Sequence, residues 1–400
     1  MPLFSIVIPT RNRAHLLQYA LQSALNQTFD DYDVVVSDNY SSDETAETVH
    51  RLADKKVRYL CTNEALPMPE SWEFALNHAD GEYVFFLCDD DAICPRLLET
   101  IAGIIAERRS TLLSWKRAIY CHSTWFKPEY RNRVIIPSYT GKTFNINSGT
   151  TLTNLFSFRA GPELPVMANS FCHRDIITQV KARMTRFFVA PCPDRSAAAV
   201  MLSEVNNYTY IDDILMLGGV GKESIGAAQA YNRGKSSVRF TEEFHGEKIL
   251  SHVPLKAPVV ANFDAETLLR VKKLMPERFS SIDLDWSRYF ILCYKQILFH
   301  QKTGVDVSKD SKEFFDVLSK QPLAFQTKVR FATMGYKQKL ALKDIVRRII
   351  YNFPMFIGLN YFLPYPLRKM MPAAVIRGED AGFSNILECV RKLDLYIIRN

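Results

Sequence analysis

An α/β fold with a doubly wound, mostly parallel sheet is predicted for the first part of this chain, followed by a mainly helical C-terminal region. Three observations predict it. Short apolar runs alternate with amphipathic stretches of helical period through the first 110 or so residues, a pattern that produces parallel strands joined by crossover helices. Three of the apolar runs end in polar clusters, Pro9-Thr10-Arg11-Asn12-Arg13, Ser37-Asp38-Asn39 and Asp89-Asp90-Asp91. In such sheets ligands bind beyond the carboxyl ends of the strands, so the clusters are expected to converge on one crevice. The composition, 47% hydrophobic and 23% charged over 400 residues, is that of a globular protein and not of a disordered chain.

The elements follow in order. Phe4-Ser5-Ile6-Val7-Ile8 is a strand. Residues 14–27 form a helix, with Leu16, Leu17, Ala20, Leu21, Ala24 and Leu25 on one stripe. Asp33-Val34-Val35-Val36-Ser37 is a second strand, followed by a turn and a helix from about Asp43. Val57-Arg58-Tyr59-Leu60 is a third strand, and residues 69–79 a helix. After Ala79-Asp80-Gly81, the aromatic and β-branched run Tyr83-Val84-Phe85-Phe86-Leu87-Cys88 is a buried strand. Pro95 and the apolar positions after it start the next helix.

Eight cysteines are scattered without CxxC pairs, which signals neither a zinc site nor a disulfide framework and fits a reducing cytoplasm. The N-terminus lacks a charged leader with an apolar core, and no stretch approaches the roughly 20 apolar residues of a membrane span. Charge is uneven. From residue 321 onward there are 13 Lys/Arg and 5 Asp/Glu, a net of +8, against 37 and 38 in residues 1–320, a net of −1. This basic segment is interleaved with aromatics and prolines, such as Arg347-Arg348-Ile349-Ile350-Tyr351 and Tyr361-Phe362-Leu363-Pro364-Tyr365. Two readings stand: a helical region packed on the catalytic body with solvated cations, or peripheral docking at an anionic membrane surface. No nucleic-acid-binding motif accompanies the charge, so nucleic acid is not expected as a partner.

Three adjacent ionised carboxylates at a strand end repel one another unless a cation sits among them. A divalent metal carrying a phosphate ligand is one reason to tolerate them. Acids at a solvated turn before a helix start are the other. Neither GxGxxG nor GxxxxGK followed by Ser or Thr occurs in these loops, so neither a dinucleotide fold nor a P-loop is supported.

Taken together, Ser5-Ile6-Val7-Ile8-Pro9-Thr10-Arg11-Asn12-Arg13, Val35-Val36-Ser37-Asp38-Asn39-Tyr40-Ser41-Ser42-Asp43, Ala79-Asp80-Gly81-Glu82-Tyr83-Val84-Phe85-Phe86-Leu87 and Asp89-Asp90-Asp91 with Pro95 form a pattern that resembles the family 2 inverting glycosyltransferases. The likeness is close over about residues 1–110 and looser to about 240. It implies the GT-A nucleotide-diphospho-sugar transferase fold in residues 1–240, with residues 241–400 as a helical region that is basic and aromatic from about 321. By the same resemblance Pro9, Thr10 and Arg13 line the nucleotide pocket through backbone and stacking contacts. Asp38 accepts a hydrogen bond from the base, and a carboxylate there suits the imide N–H of uracil; an Asx turn or helix cap is its ordinary alternative.

The family's usual acid–variable–acid motif falls here on Cys88, Asp89 and Asp90, so Cys88 stands where an acid is common. The resemblance makes Asp90 the principal ligand of Mg²⁺ or Mn²⁺, with Asp89 on the ribose or a metal-bound water and Asp91 as a supporting ligand, a group that holds a ligand in place, or a helix cap. It makes Asp194, in Pro191-Cys192-Pro193-Asp194-Arg195, the general base; capping its helix is the alternative. Asp212 and Asp213 are expected at a turn or edge. The glycine-dense segment 218–226 is expected as a loop, with Lys222 and Ser224 near the diphosphate or on an ordinary surface. His122, His173, Trp72 and Trp115 are expected in the core.

The implied activity is transfer of a sugar from a nucleotide-diphosphate donor, UDP by preference, to a hydroxyl of a saccharide or glycolipid acceptor in polysaccharide biosynthesis. It would take place in the cytoplasm or at the inner face of the membrane. A non-catalytic nucleotide-sugar-binding or membrane-recruited assembly protein is the alternative of a different class. A sugar-phosphate nucleotidyltransferase is a further one, although the glycine-rich loop it needs is absent after Ile8.

Overall fold

The computed structural model describes residues 1–52, 55–224, 226, 244, 249–334, 336 and 374–399. Strands β1 (Phe4–Thr10), β2 (Tyr32–Asp38), β3 (Val57–Cys61) and β4 (Tyr83–Phe86) are joined by helices α1 (Ala14–Leu25), α2 (Thr45–Leu52) and α3 (Met68–Asn77). They form the parallel half of the sheet, in the order β4-β1-β2-β3. Successive side chains on a strand point to opposite faces, and both faces are apolar. Ile6, Ile8, Val34, Val36 and Phe85 pack with Leu17 and Leu21 of α1 on one side. Val7, Val35, Val84 and Phe86 pack with Trp72 and Leu76 of α3 on the other. Burying each such side chain contributes roughly 1.5–3 kcal/mol, which fixes the strand register and hence the loops that follow each strand.

The remainder of the sheet is mixed. Beyond β5 (Ala92–Ile93) and α4 (Leu97–Arg108) come β6 (Leu112–Cys121), β7 (Arg133–Ile136), β8 (Thr143–Asn147), α5 (Ser148–Phe156), β9 (Ser170–His173), α6 (Arg174–Met184), α7 (Pro193–Glu204) and β10 (Asn207–Val220). β9 inserts antiparallel between β4 and β6, while β10 runs parallel to β6 and antiparallel to β5 and β8. This mixed, mostly parallel sheet with helices on both faces and a helical C-terminal region agrees with the expected GT-A class.

Asp212 and Asp213 differ from expectation, for they lie inside β10 and not at a turn. The register against β6 shifts between Ile211 and Ile214 and again between Ile214 and Met216. This irregularity lets Asp212 pair with Lys116 and Asp213 with Arg96 (2.9 Å).

After residue 249 the chain is mainly helical. The helix Val260–Leu274 packs on α7, and Trp286–Lys302 packs on it in turn. Leu268, Val271, Tyr289, Phe290, Ile297 and Val329 belong to the same buried cluster as Val7 and Phe86. One strand was not foreseen in this region: β11 (Ala374–Arg377) adds antiparallel to β7. The last helix, Ile386–Arg399, lays Ile386, Cys389, Val390 and Leu393 against Ala118, Tyr120, Ile214 and Leu217. Its Asp394 takes a 2.8 Å bond from Arg96. The aromatic stretch 347–369 lies outside the described residues.

Candidate active site

The loops after β1 and β2 are tied together by short polar side chains. Asn12 and Tyr40 adopt left-handed φ values of 55° and 58°, and those bends bring the two loops face to face. The Asn12 N–H donates to Ser41 Oγ (2.8 Å), the Ser42 N–H donates to Asn12 Oδ1 (2.7 Å), and the Ala14 N–H at the start of α1 donates to Asp43 Oδ2 (3.0 Å). Asp43 therefore caps α1 from a different loop. Asp38 stands opposite Thr10 in the β1–β2 register and is buried. Its Oδ1 accepts the Ser41 N–H (2.9 Å) and its Oδ2 accepts the Tyr59 hydroxyl (2.6 Å). Burial and the Asp38 bond both push the Tyr59 hydroxyl far above its ordinary range, so it stays protonated and donates.

The acid loop between β4 and β5 meets the β1 loop directly. Asp89 accepts from Thr10 Oγ1 (2.8 Å) and Arg13 Nη1 (2.6 Å), while Arg13 Nη2 reaches Asp90 Oδ2 (2.8 Å). The Arg13 guanidinium is thus the counter-ion of two acids at the edge of the expected nucleotide pocket. Asp90 Oδ2 also accepts Ser224 Oγ (2.6 Å), which brings the glycine-dense segment onto the acids. The first residues of that segment, Gly218-Gly219-Val220, are the end of β10 and not loop. Because β10 pairs with β5 just upstream, the Gly219 N–H reaches Asp91 Oδ1 (2.7 Å). His122 lies buried with Nε2 2.9 Å from the Asp90 carbonyl oxygen. A carbonyl only accepts, so Nε2 carries the proton.

All three acids are buried, and their titration follows. Burial and the Asp90 charge push Asp91 up to about 8. Burial also lifts Asp89, against the pull of Arg13, to about 6. Burial disfavours the Asp90 anion too, but Arg13 and the Ser224 bond outweigh it and hold Asp90 below the ordinary value. Cys88 is driven well above the usual thiol range by burial and then by Asp91. For Arg13, burial is more than offset by Asp89 and Asp90, so it stays charged.

Cys88, Asp90 and Asp91 each offer a ligand atom, and these atoms lie within 4.8 Å of one another. The donor set fits a divalent cation. Two carboxylates suit Mg²⁺ or Mn²⁺, and the Cys88 thiol, kept protonated by its burial, adds no further charge beside them. Cys88, a departure from the family motif, is thus beside the acids it would complement. The sequence offered no hint of Tyr59 or of Arg117, whose charge lowers the Asp91 pKa, and pointed His122 only to the core, because each reaches the site only through the fold.

Asp194 does lie at the N-terminus of α7, but no hydrogen bond or ion pair links it to the acid loop among the described residues. Its Oδ1 accepts the Arg195 N–H (2.9 Å), and Arg195 Nε is 3.3 Å from Asp264. Lys222 is exposed, Pro9 is half-buried, and Trp72, Trp115 and His122 are buried as expected. His173 caps α6 through Nδ1 and is not enclosed in the core.

Residues 5–161 match the family model described as glycosyl transferase family 2. Over 104 residues the chain is 38% identical to the GalNAc(5)-diNAcBac-PP-undecaprenol beta-1,3-glucosyltransferase of Campylobacter jejuni, covering 25% of this chain and 34% of that protein. It is 35% identical over 115 residues to the poly(ribitol-phosphate) beta-N-acetylglucosaminyltransferase TarS of Staphylococcus aureus, covering 28% of this chain and 20% of TarS. It is 31% identical over 97 residues to the UDP-Glc:alpha-D-GlcNAc-diphosphoundecaprenol beta-1,3-glucosyltransferase WfgD of Escherichia coli, covering 24% and 38%. The matched segments thus span well under half of these relatives' lengths. A crystal structure of TarS 1–349 with UDP-GlcNAc superposes with a TM-score of 0.48 at 16% identity, over 84% of this chain and 92% of that one. The family match begins at β1, and residues 5–161, which fit the glycosyl transferase family 2 model, contain the three loops that meet at Thr10, Arg13, Asp38 and Asp89–Asp91.

Proposed function

We propose that this protein is a metal-dependent inverting glycosyltransferase, with residues 1–240 as its catalytic unit. It moves a sugar from a UDP-sugar to a hydroxyl of a saccharide or glycolipid acceptor in polysaccharide synthesis at the cytoplasmic side of a membrane. The observation that carries the reading is the convergence of Thr10, Arg13, Asp38 and the buried Asp89-Asp90-Asp91 at the carboxyl ends of β1, β2 and β4.

Asp90 and Asp91, with Cys88 in reach, would hold Mg²⁺ or Mn²⁺, which supplies neutralisation of the diphosphate charge. Pro9, Thr10 and Arg13 wall the nucleotide pocket, and Asp89 is fixed by Thr10 and Arg13 where it can meet the ribose. A carboxylate offers about four lone-pair positions, so Asp38 still has room for the uracil imide N–H beside its two present bonds. Asp194 takes the proton of the attacking hydroxyl through Oδ2, the oxygen that Arg195 N–H does not engage. The acceptor oxygen bonds to the anomeric carbon as the bond to the diphosphate breaks, and the configuration inverts.

Measuring UDP release from a panel of UDP-sugars with Mn²⁺ and saccharide or lipid-linked saccharide acceptors tests this. Acceptor-stimulated release supports transfer. Tight donor binding with no turnover against any acceptor would instead support the non-catalytic binding protein.

A further inference from the structure

The helix Leu323–Thr333 is apolar on both sides, and among the described residues only one side is packed. At 100° per residue, Phe325 and Val329 share the inner face. Val329 is buried, and Phe325 sets its ring edge-on against Phe290 at 5.4 Å. Leu323, Thr327, Arg330, Phe331 and Met334 share the outer face, where Leu323, Phe331 and Met334 are 78%, 77% and 74% exposed. Phe315 of the neighbouring helix Ser308–Ser319 is 39% exposed, and the Arg330 guanidinium sits 5.9 Å from its ring, so both helices contribute to one patch. Lone exposed apolar residues are ordinary, but three large ones clustered on one helix mark a contact surface.

The charge along the helix Leu323–Thr333 has one sign, and the exposed acid nearest the patch in sequence is Asp316, beside Phe315 on the neighbouring helix. Between Asp316 and Asp344 the sequence contains no acid and six Lys/Arg. Of these, Lys320, Lys328 and Arg330 are exposed on or beside the helix. No helix among the described residues is long and apolar enough to cross a membrane. A short apolar face rimmed by cations with long aliphatic stems fits the boundary between headgroups and acyl chains, where the stems lie along apolar surface and the charges reach phosphate. We propose that this face, Leu323, Phe331 and Met334 with Phe315 and the cations Lys320, Lys328 and Arg330, docks the protein on an anionic lipid bilayer. The proposal names the surface for the membrane-side activity proposed above, and lipid binding itself needs neither donor nor acceptor.

The full-length protein is sedimented with vesicles of phosphatidylcholine alone or mixed with phosphatidylglycerol, without nucleotide. Binding to the anionic vesicles is expected to exceed binding to the neutral ones. Each cation near an anionic surface strengthens binding about fivefold, so Lys328→Glu with Arg330→Glu should weaken anionic binding by more than tenfold. Leu323→Ser with Phe331→Ser should weaken it similarly while the far-UV spectrum and the thermal unfolding curve stay unchanged, because both side chains are outside the core. Equal binding of wild type to neutral and anionic vesicles overturns the proposal, as does undiminished binding of both double variants. Self-association that the serine variant abolishes, in a protein that ignores vesicles, assigns the face to a second copy and overturns it too. UDP release measured on the same preparations in detergent-free buffer with a water-soluble acceptor keeps a failure of docking separate from a failure of the transferase reading.

Discussion

Replacing Gly219 with alanine drives a methyl group into the backbone of the acid loop. A Cβ at this position would stand 1.8 Å from the Asp90 carbonyl oxygen and 2.5 Å from His122 Nε2. An ordinary carbon–oxygen contact is about 3.3 Å, so the loop and the end of β10 must part by about 1.5 Å. That movement breaks the 2.7 Å bond from the Gly219 N–H to Asp91 and the 2.9 Å bond from His122 to Asp90. With Asp91 pushed up to about 8 its carboxyl is mostly neutral at pH 7, so each bond is worth about 0.5–1.5 kcal/mol and the substitution should cost about 1–3 kcal/mol. Misplacing catalytic groups by about 1 Å also lowers turnover on the order of 100-fold. Gly218→Ala is the control, since the nearest atom there is 3.3 Å away on the flexible Arg117 side chain. Urea unfolding and UDP release, measured on both variants, decide the matter. Gly219→Ala with wild-type unfolding and wild-type turnover would refute the reasoning, because the acid loop would then not depend on β10 for its position.

Other perturbations have equally definite outcomes. Arg13→Met removes the only cation bonded to Asp89 and Asp90 among the described residues, and breaking a buried ion pair costs about 3–5 kcal/mol; urea unfolding should show that loss, and Mn²⁺ should recover part of it. Burial would raise the Glu266 carboxyl, but bonds from His252, Arg270 and backbone N–H groups hold it down to about 2 from an ordinary 4.5. A depressed folded value stabilises above the unfolded one, so about 3 kcal/mol should be present at neutral pH and lost as pH falls from 4.5 towards 2. Unfolding of Glu266→Gln across that window should converge on the wild type at its acid end. Asp194→Asn should lower kcat 100-fold or more with donor affinity unchanged; a KM effect alone would remove Asp194 from the base role.

The sheet was legible because its residues obey one period at a time. Val34, Val35 and Val36 are apolar on both faces, and α1 carries Leu17, Ala20, Leu21 and Ala24 on one stripe, so the alternation of elements could be followed through β4. The acids were legible as an electrostatic conflict at Asp89-Asp90-Asp91. What settles that conflict was not. Arg13 lies 76 positions from Asp89, and Ser224 lies 134 positions from Asp90, so only the fold brings them into contact. β10 was hidden in part because Asp212 and Asp213 interrupt its apolar run at an irregularity that Lys116 and Arg96 compensate. β11 is four residues at a sheet edge within a basic region, too short for its period to stand out. Cys88 was visible only as a deviation, and the third ligand direction it offers depends on the turn that folds it back beside Asp90 and Asp91.

The central claim, that the buried acids hold a cation which in turn holds the diphosphate, is tested most directly by titrating UDP into the protein with and without Mn²⁺. Mn²⁺ is expected to strengthen binding at least about tenfold, a difference of about 1.4 kcal/mol. Asp90→Ala should remove this enhancement while leaving the weak, cation-free binding through the β1 and β2 loops. UDP binding that ignores Mn²⁺, or an enhancement that survives in Asp90→Ala, would contradict it.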